Sequence, residues 1–279
     1  MRFIVKGENM LSFVIATFNS ENYILRCLES FATQTYRDFE LVIVDGSSQD
    51  KTVEICKCYS DRLRMKIISE PDEGIYDAWN KGINICSGEW IAFLGSDDQL
   101  QSHEALHTMS QIINGLDAKI SILYGRVTLC EHGVAVRTMG RDWFLQKPRL
   151  MLGEMIPHPG SLHRKTVFSE FGVFDQNFKI CGDLDLTLRI LKNTEAHFAG
   201  DLDYILMDSQ GISNSLASFD QSYKESRDAY KNNGISFTPF LYLYYFKKSV
   251  FSLVKKIFGD GFSKTFRNKF RNIIYKSKL

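Results

Sequence analysis

Apolar runs and helix-like segments alternate along the first 125 residues of this 279-residue chain. The strand-like runs are residues 11–17, 39–44, 65–69 and 89–94, and the segments with apolar residues at helical spacing are 23–31, 52–59, 76–86 and 104–113. Alternation of this kind predicts an α/β fold, in which helices flank a doubly wound, mostly parallel sheet.

The fourth apolar run ends in two adjacent carboxylates, Asp97 and Asp98. The carboxyl ends of parallel strands face the ligand site in open α/β sheets. Two neighbouring acids there repel one another unless a divalent cation, typically Mg²⁺ or Mn²⁺, neutralises them. The sequence Gly95-Ser96-Asp97-Asp98 also suits an ordinary acidic turn after a strand, so these four residues alone leave both interpretations open.

Other polar residues also follow predicted strands. Thr17 and Asn19 follow the first strand and Asp45 follows the second, so we expect them along one sheet edge with Asp97 and Asp98. The chain has neither a G-x-G-x-x-G nor a G-x-x-x-x-G-K-[ST] phosphate loop. A bound diphosphate would therefore need a metal, which favours the cation-binding interpretation.

The charge is divided unevenly along the chain. The net charge is +1, but residues 240–279 hold ten Lys and Arg and one acid, and the rest holds 24 basic and 32 acidic residues. We therefore expect a globular domain at 1–239 and a basic amphipathic tail at 240–279. The tail combines aromatic residues with lysines, as helices at a membrane surface do. An anionic membrane is the expected partner. The acidic body argues against nucleic acid, and a helix that covers the core is the remaining alternative.

The sequence also predicts a cellular location. Residues 1–10 carry charges and no apolar signal segment, and no run reaches the ~18 apolar residues that span a bilayer. The six cysteines have no paired metal-ligand spacing. These features are typical of a cytoplasmic protein with free thiols, bound at most peripherally to the inner face of the cell membrane.

Four ordered motifs resemble those of family-2 glycosyltransferases, which have the GT-A fold. They are VIATFN at 14–19, IVDGS at 43–47, EPDEGIYDAWNKG at 70–82 and GSDD at 95–98. The resemblance covers residues 10–205 and is closest to bacterial enzymes that build O-antigen and capsular polysaccharides. It implies a nucleotide-sugar-binding half at 10–125 and an acceptor half at 126–239.

The resemblance implies roles for the nucleotide-side residues. Asp45 corresponds to the acid that binds the uracil of a UDP-sugar, and Thr17, Asn19 and Asp77 to residues that contact the nucleotide. Each of them also suits a turn or a helix start. Lys81, four residues after Asp77, suits either a phosphate contact or a surface ion pair with Asp77.

Metal and catalytic roles follow from the same resemblance. Asp98 is expected to coordinate Mn²⁺ or Mg²⁺, and Asp97 to contact ribose, or the metal through water. Asp183, in KICGDLDLTLR at 179–189, matches the catalytic base at the start of a helix, where an Asp is also a good cap. Two departures from the family pattern are Gly95 and Gly182, which stand where related enzymes often carry a further acid.

On the acceptor side, His158 in PHPGS at 157–161 is expected to contact the acceptor or the diphosphate, although a structural loop histidine fits equally. The resemblance thus predicts inverting transfer of a hexose from a UDP-sugar. The acceptor would be a lipid-linked saccharide, such as one on undecaprenyl diphosphate, in surface-polysaccharide synthesis.

Two other functions remain to be distinguished. HEALH at 103–107 matches the H-E-x-x-H helix motif of zinc peptidases, although the longer extension of that motif is absent. The other alternative is a non-catalytic protein that binds a nucleotide-sugar and transfers nothing.

Overall fold

Four parallel strands form one side of the central sheet. The computed structural model describes residues 10–131, 134–208 and 219–235. The four strands are β1 (Leu11–Thr17), β2 (Phe39–Asp45), β3 (Met65–Ser69) and β4 (Trp90–Gly95), and they lie in the order β3-β2-β1-β4. All adjacent pairs are parallel, and β2 is buried along its whole length. β1, β2 and β4 are thus almost wholly buried, as expected for strands covered on both faces, whereas the edge strand β3 is partly exposed.

Helices follow these strands. They are α1 (Ile24–Ala32), α2 (Thr52–Cys58), α3 (Ile75–Ile85) and α4 (Ala105–Asn114). Alternate residues of β1 point to opposite faces: Phe13 packs in a core that includes residues of α1, α2 and α4, and Val14 packs in a core that includes residues of α3. The sheet thus has helices on both faces, which confirms the predicted doubly wound arrangement.

The second half of the chain extends the same sheet. Its strands are β5 (Gln99–Leu100), β6 (Ile120–Glu131), β7 (Val134–Met139), β8 (Leu162–Arg164) and β9 (Glu195–Asp208), and its helices are α5 (Trp143–Leu150), α6 (Thr166–Glu170), α7 (Gly182–Leu191) and α8 (Phe219–Asn232). The order continues β4-β8-β6-β9-β5, and β7 pairs with β6. β8 is antiparallel to both β4 and β6, whereas β6 and β9 are parallel.

The predicted halves, 10–125 and 126–239, therefore share one sheet in the described residues, and the boundary between them remains a prediction. The basic tail at 240–279 lies outside the described residues. Within the part that is described, no helix has both the length and the hydropathy needed to cross a bilayer.

Candidate active site

The carboxyl ends of the parallel strands meet at one edge. Thr17 at the end of β1 pairs with Asp45 at the end of β2, and Asp45 pairs with Ser69 at the end of β3. On the other side of β1, Ala16 pairs with Gly95 at the end of β4. The sheet register thus brings the polar residues after three strands to one edge, as the sequence analysis expects.

A cavity of about 650 Å³ opens at this edge. Its volume lies within the ~300–1,000 Å³ typical of small-molecule sites. The predicted site residues that line it are Thr17, Asn19, Asp97, Asp98, His158 and Asp183. Asp45 and Asp77 are not among the residues that line it. One cavity therefore contains both the acidic pair after β4 and the acid at the start of α7.

Asp98 is a buried carboxylate, with 5% of its surface exposed. Its Oδ2 accepts a hydrogen bond from the Gly95 N–H at 2.8 Å. Burial and the adjacent Asp97 charge raise the pKa of Asp98 to about 8. Burial also raises the pKa of Asp97, and the Asp208 charge acts in the same direction.

These two acids fit a hard divalent cation. Carboxylate oxygens are the ligands that Mg²⁺ and Mn²⁺ prefer, and the positive charge offsets the repulsion within the pair. Among the described residues no cluster of three or more His, Cys, Asp or Glu side chains is suited to hold a metal. A cation at Asp97 and Asp98 would therefore take further ligands from water or a bound phosphate.

Gly95 gives the acidic pair its room. A Cβ at this position would lie 2.6 Å from Asp97 Oδ1 and 3.5 Å from Asp98 Oδ2. The Asp97 carboxylate thus occupies the space into which a side chain at 95 would project. A side chain at position 95 would therefore require the Asp97 carboxylate to move.

Asp45 is held by its own neighbourhood. It is fully buried, and its Oδ2 accepts hydrogen bonds from the Ser48 N–H at 3.0 Å and the Ser69 hydroxyl at 2.7 Å. The Ser48 hydroxyl donates to Oδ1. Asp45 therefore joins the ends of β2 and β3 to the turn after β2.

The first loop is tied to that same turn. Asn19 has a positive φ of 47°, its side-chain oxygen accepts from the Gln49 N–H at 2.9 Å, and its own N–H donates to the Ser48 hydroxyl at 2.8 Å. Thr17 lies beside it at the cavity wall. The Thr17 hydroxyl oxygen is buried and has no hydrogen-bond partner among the described residues.

Asp77 closes the first turn of α3. Its carboxylate accepts from the Glu73 N–H at 3.1 Å and from the Gln176 side chain at 2.9 Å. Lys81 Nζ lies 3.3 Å from Asp77 Oδ2 and 3.0 Å from Glu70 Oε1. The ion pair foreseen between Lys81 and Asp77 is therefore present.

Asp183 is the second residue of α7, which begins at Gly182. Its Oδ1 accepts from the Leu184 N–H at 2.9 Å and from the Tyr76 hydroxyl at 3.4 Å. Burial raises the pKa of Asp183 to about 6, with a smaller contribution from the Glu225 charge, while the two hydrogen bonds oppose the rise. A carboxylate with this pKa is mostly ionised at neutral pH, and its proton affinity suits a general base.

Gly182 makes room for Tyr76. A Cβ on Gly182 would lie 2.8 Å from Tyr76 Cε2. The Tyr76 ring also stacks on Phe174, with centroids 5.5 Å apart. The ring thus fills the volume that a side chain at 182 would need, and its hydroxyl remains beside Asp183.

His158 lies in an aromatic wall of the cavity. Its ring is 5.2 Å from Trp79, 5.9 Å from Phe93 and 5.6 Å from His163, measured between centroids. Neither ring nitrogen has a hydrogen-bond partner among the described residues, and burial lowers the pKa of His158 well below its usual range. The ring is therefore neutral at physiological pH.

The family model described as "Glycosyl transferase family 2" matches residues 12–152, about half of the chain. This chain belongs to glycosyltransferase family 2. A "PGL/p-HBAD biosynthesis glycosyltransferase" of Mycobacterium bovis (strain BCG / Pasteur 1173P2) is 32% identical over 188 residues, which are 66% of this chain and 70% of the relative.

Two solved structures are similar to this family-2 chain. S. aureus TarS 1–349, in complex with UDP-GlcNAc, has a TM-score of 0.65 at 20% identity over 80% of this chain and 65% of TarS 1–349. The mannosyltransferase PcManGT from Pyrobaculum calidifontis, in complex with GDP-Man and Mn²⁺, has a TM-score of 0.61 at 13% identity over 96% and 81% of the two chains. This chain thus spans slightly under two thirds of the TarS fragment. Both likenesses support the GT-A fold.

The family-2 cavity also contains residues that the sequence analysis did not single out. Asp72, Lys179 and Asp208 all line it. Asp72 and Lys179 lie within the motifs at 70–82 and 179–189, so the sequence could have identified both as candidate site residues. Asp208 ends the apolar run of β9 just as Asp45 ends that of β2, a signal that could have been used.

The zinc-peptidase motif is separate from this site. His103 and Glu104 precede α4, and His103 is exposed. His107 Nε2 contacts Gln111 Nε2 at 2.9 Å. The described residues contain no group of three side chains suited to zinc, so the geometry gives that alternative no support.

Proposed function

We propose that this chain is a metal-dependent inverting glycosyltransferase that moves a hexose from a UDP-sugar to a lipid-linked saccharide. The observation that carries the proposal is the shared cavity: Asp97 and Asp98 line it from β4, and Asp183 lines it from α7. Family membership supports sugar transfer, and the cavity has the volume for a nucleotide-sugar.

Asp183 would act as the general base. It would take the proton of the acceptor hydroxyl as that oxygen attacks the anomeric carbon and the bond to the nucleoside diphosphate breaks. Attack from the face opposite the leaving group inverts the configuration. The Tyr76 hydroxyl donates a hydrogen bond to Asp183, and burial raises the pKa of Asp183 to about 6.

Asp97 and Asp98 would hold Mn²⁺ or Mg²⁺. When bound, the cation would offset the negative charge that grows on the departing diphosphate. Lys179 also lines the cavity and bears the opposite charge to Asp97, Asp98 and Asp183. Because acidic groups outnumber basic ones among these residues, an anionic donor would bind more favourably together with a cation.

The proposed donor and the proposed acceptor are supported by different observations. TarS 1–349 binds UDP-GlcNAc and PcManGT binds GDP-Man, which supports a nucleotide-sugar as the donor. Because the two donors differ in their nucleobase, uracil or guanine is a choice for experiment. The lipid-linked acceptor and the inner face of the cell membrane as the place of work rest on the basic sequence at 240–279 and the resemblance to polysaccharide enzymes.

A donor screen is the first test. Purified protein would be heated with UDP-glucose, UDP-galactose, UDP-GlcNAc or GDP-mannose, each with and without Mn²⁺. We expect a UDP-sugar to raise the Tm only when Mn²⁺ is present, because binding to the folded state adds to its stability. A rise in Tm with GDP-mannose and with none of the UDP-sugars would reject a UDP-sugar as the donor.

The second test is transfer itself. Asp183→Asn should lower kcat by ~10²–10⁴-fold and leave Mn²⁺-dependent donor binding intact, because the amide cannot take a proton. NMR of the product's anomeric centre should show inversion. Wild-type protein that binds the donor and transfers to no lipid-linked saccharide would favour the non-catalytic alternative.

A further inference from the structure

Glu225 on α8 binds three consecutive backbone amides that lead into α7. Its Oε1 accepts from the Lys179 N–H at 3.0 Å, and its Oε2 accepts from the Ile180 N–H at 2.8 Å and the Cys181 N–H at 2.9 Å. Glu225 is 8% exposed. A buried carboxylate that accepts three N–H bonds is a strong, charge-assisted anchor for the backbone that it holds.

The anchored segment ends where α7 begins. Cys181 precedes the first helical residue, Gly182, and no side chain of the segment itself caps the helix. The Glu225 carboxylate, which is 44 residues after Cys181 in the chain, thus provides negative charge near the amino end of α7, where the helix dipole favours it.

Other contacts hold Glu225 and this junction in place. The Gln221 side chain donates to Glu225 Oε1 at 2.8 Å, and Cys181 Sγ lies 3.3 Å from the Ser226 hydroxyl. Directly after α8, the Asn233 side chain donates to Asp185 Oδ1 in α7 at 3.0 Å. The α8 segment is therefore joined to α7 and to the residues before it at two separate places.

We propose that Glu225 is a positioning residue that fixes the placement of Asp183 in the cavity. The inference rests on the proposed function, in which Asp183 is the base. Asp183 lies two residues after Cys181, so a shift of the backbone at 179–181 moves the Asp183 carboxylate relative to Tyr76 and to an acceptor hydroxyl. Misplacement by ~1 Å at a reacting group can cost ~10²-fold in rate.

The Glu225 charge also acts on Asp183 directly. It adds to the effect of burial in raising the pKa of Asp183. Among the described residues, the Tyr76 hydroxyl from α3 and the Cys181 thiol from the segment before α7 also face the Asp183 carboxylate. Removal of the Glu225 charge should therefore shift the acid limb of the rate profile to lower pH.

Two variants separate charge from position. Glu225→Gln keeps the size, removes the charge and turns an N–H donor toward one of the bound amides. We expect kcat to fall ~10–100-fold, the acid limb to move to lower pH and the KM for the donor to stay unchanged. Glu225→Asp keeps the charge but is one methylene shorter, so kcat should fall while the acid limb stays near its wild-type position.

Asn233→Ala is the matched control. It removes a different buried hydrogen bond to α7, from Asn233 to Asp185, and leaves the 179–181 amides bound to Glu225. We expect it to lower the Tm without changing kcat per folded molecule or the pH profile. Hydrogen exchange of the 179–181 amides should accelerate in Glu225→Gln and not in Asn233→Ala.

The results that would reject the positioning role of Glu225 differ from those that would reject Asp183 as the base. If both Glu225 variants keep the wild-type kcat and pH profile, or lose activity only in proportion to the unfolded fraction, the positioning role is rejected. If Glu225→Gln does not fold, Glu225→Asp decides by its kcat at unchanged KM. Wild-type kcat in Asp183→Asn would instead reject the proposed base, and with it the function assigned to the site.

Discussion

The hydroxyl of Tyr76 lies 3.4 Å from Oδ1 of Asp183 and donates a long hydrogen bond to it. Tyr76 belongs to α3, in the half of the chain that resembles a nucleotide-sugar-binding unit, and Asp183 opens α7 in the other half. The contact therefore links the proposed donor side to the proposed base. Its energetic role is to favour the ionised carboxylate in a buried setting.

The pH profile of transfer should report Asp183. The pKa of this carboxyl is raised to about 6, and a base acts only when it is deprotonated. We expect kcat to fall about tenfold per pH unit below that value and to be level above it, until another group titrates. Initial rates from pH 4.5 to 8 at saturating donor test this. A limb centred near pH 4 would mean that burial does not raise the pKa of the reacting group.

Tyr76→Phe should move the same limb to higher pH. The variant keeps the ring against Gly182 and Phe174 but removes the donor that favours the ionised form of Asp183. The measurement is the pH-rate profile beside a thermal melt. An unshifted limb at unchanged Tm would show that the 3.4 Å contact has no energetic weight.

Gly182→Ala tests the steric role of the glycine. The added Cβ would lie 2.8 Å from the Tyr76 ring, so the ring or the start of α7 must move. Overpacking of this kind typically costs about 1–3 kcal/mol of unfolding free energy. Urea denaturation measures the loss, and Gly182→Ala should cost less unfolding free energy in a Tyr76→Leu background than in the wild type. An equal cost in the two backgrounds would place the strain elsewhere.

Asp98→Asn should separate metal binding from folding. The variant replaces a buried carboxyl, whose pKa burial raises to about 8, with an amide that carries no charge at any pH, so the metal-free protein should be at least as stable as the wild type. The Mn²⁺-dependent rise in Tm with donor should disappear, because one of the two carboxylate ligands is lost. Glu104→Gln, in the exposed segment before α4, is the control and should keep the full effect of Mn²⁺.

The parallel half of the fold could be predicted because its strands are short, mostly apolar runs. β1 and β3 have the predicted bounds, and β2 is one residue longer than predicted. Strands buried on both faces leave this signal in a local stretch of sequence. The second half combines parallel and antiparallel neighbours, and its order depends on long-range pairing that no local pattern encodes.

The site was predicted in part for the same reason. Asp97, Asp98 and Asp183 lie in local motifs, and all three line the cavity. The engagement of Asp45 by Ser69 depends on the register between β2 and β3, and the contact of Glu225 with the segment before α7 joins residues 44–46 positions apart. Such contacts are properties of the assembled structure rather than of any short segment.

The continuity of the sheet has a consequence for how the cavity works. β4 is hydrogen-bonded to β8, β8 to β6 and β6 to β9, so β4, which precedes Asp98, and β9, which ends at Asp208, belong to one sheet. Swinging one half of the chain away from the other would break these ladders. The spacing between the residues that line the cavity from the two halves is therefore set by the backbone of one continuous sheet.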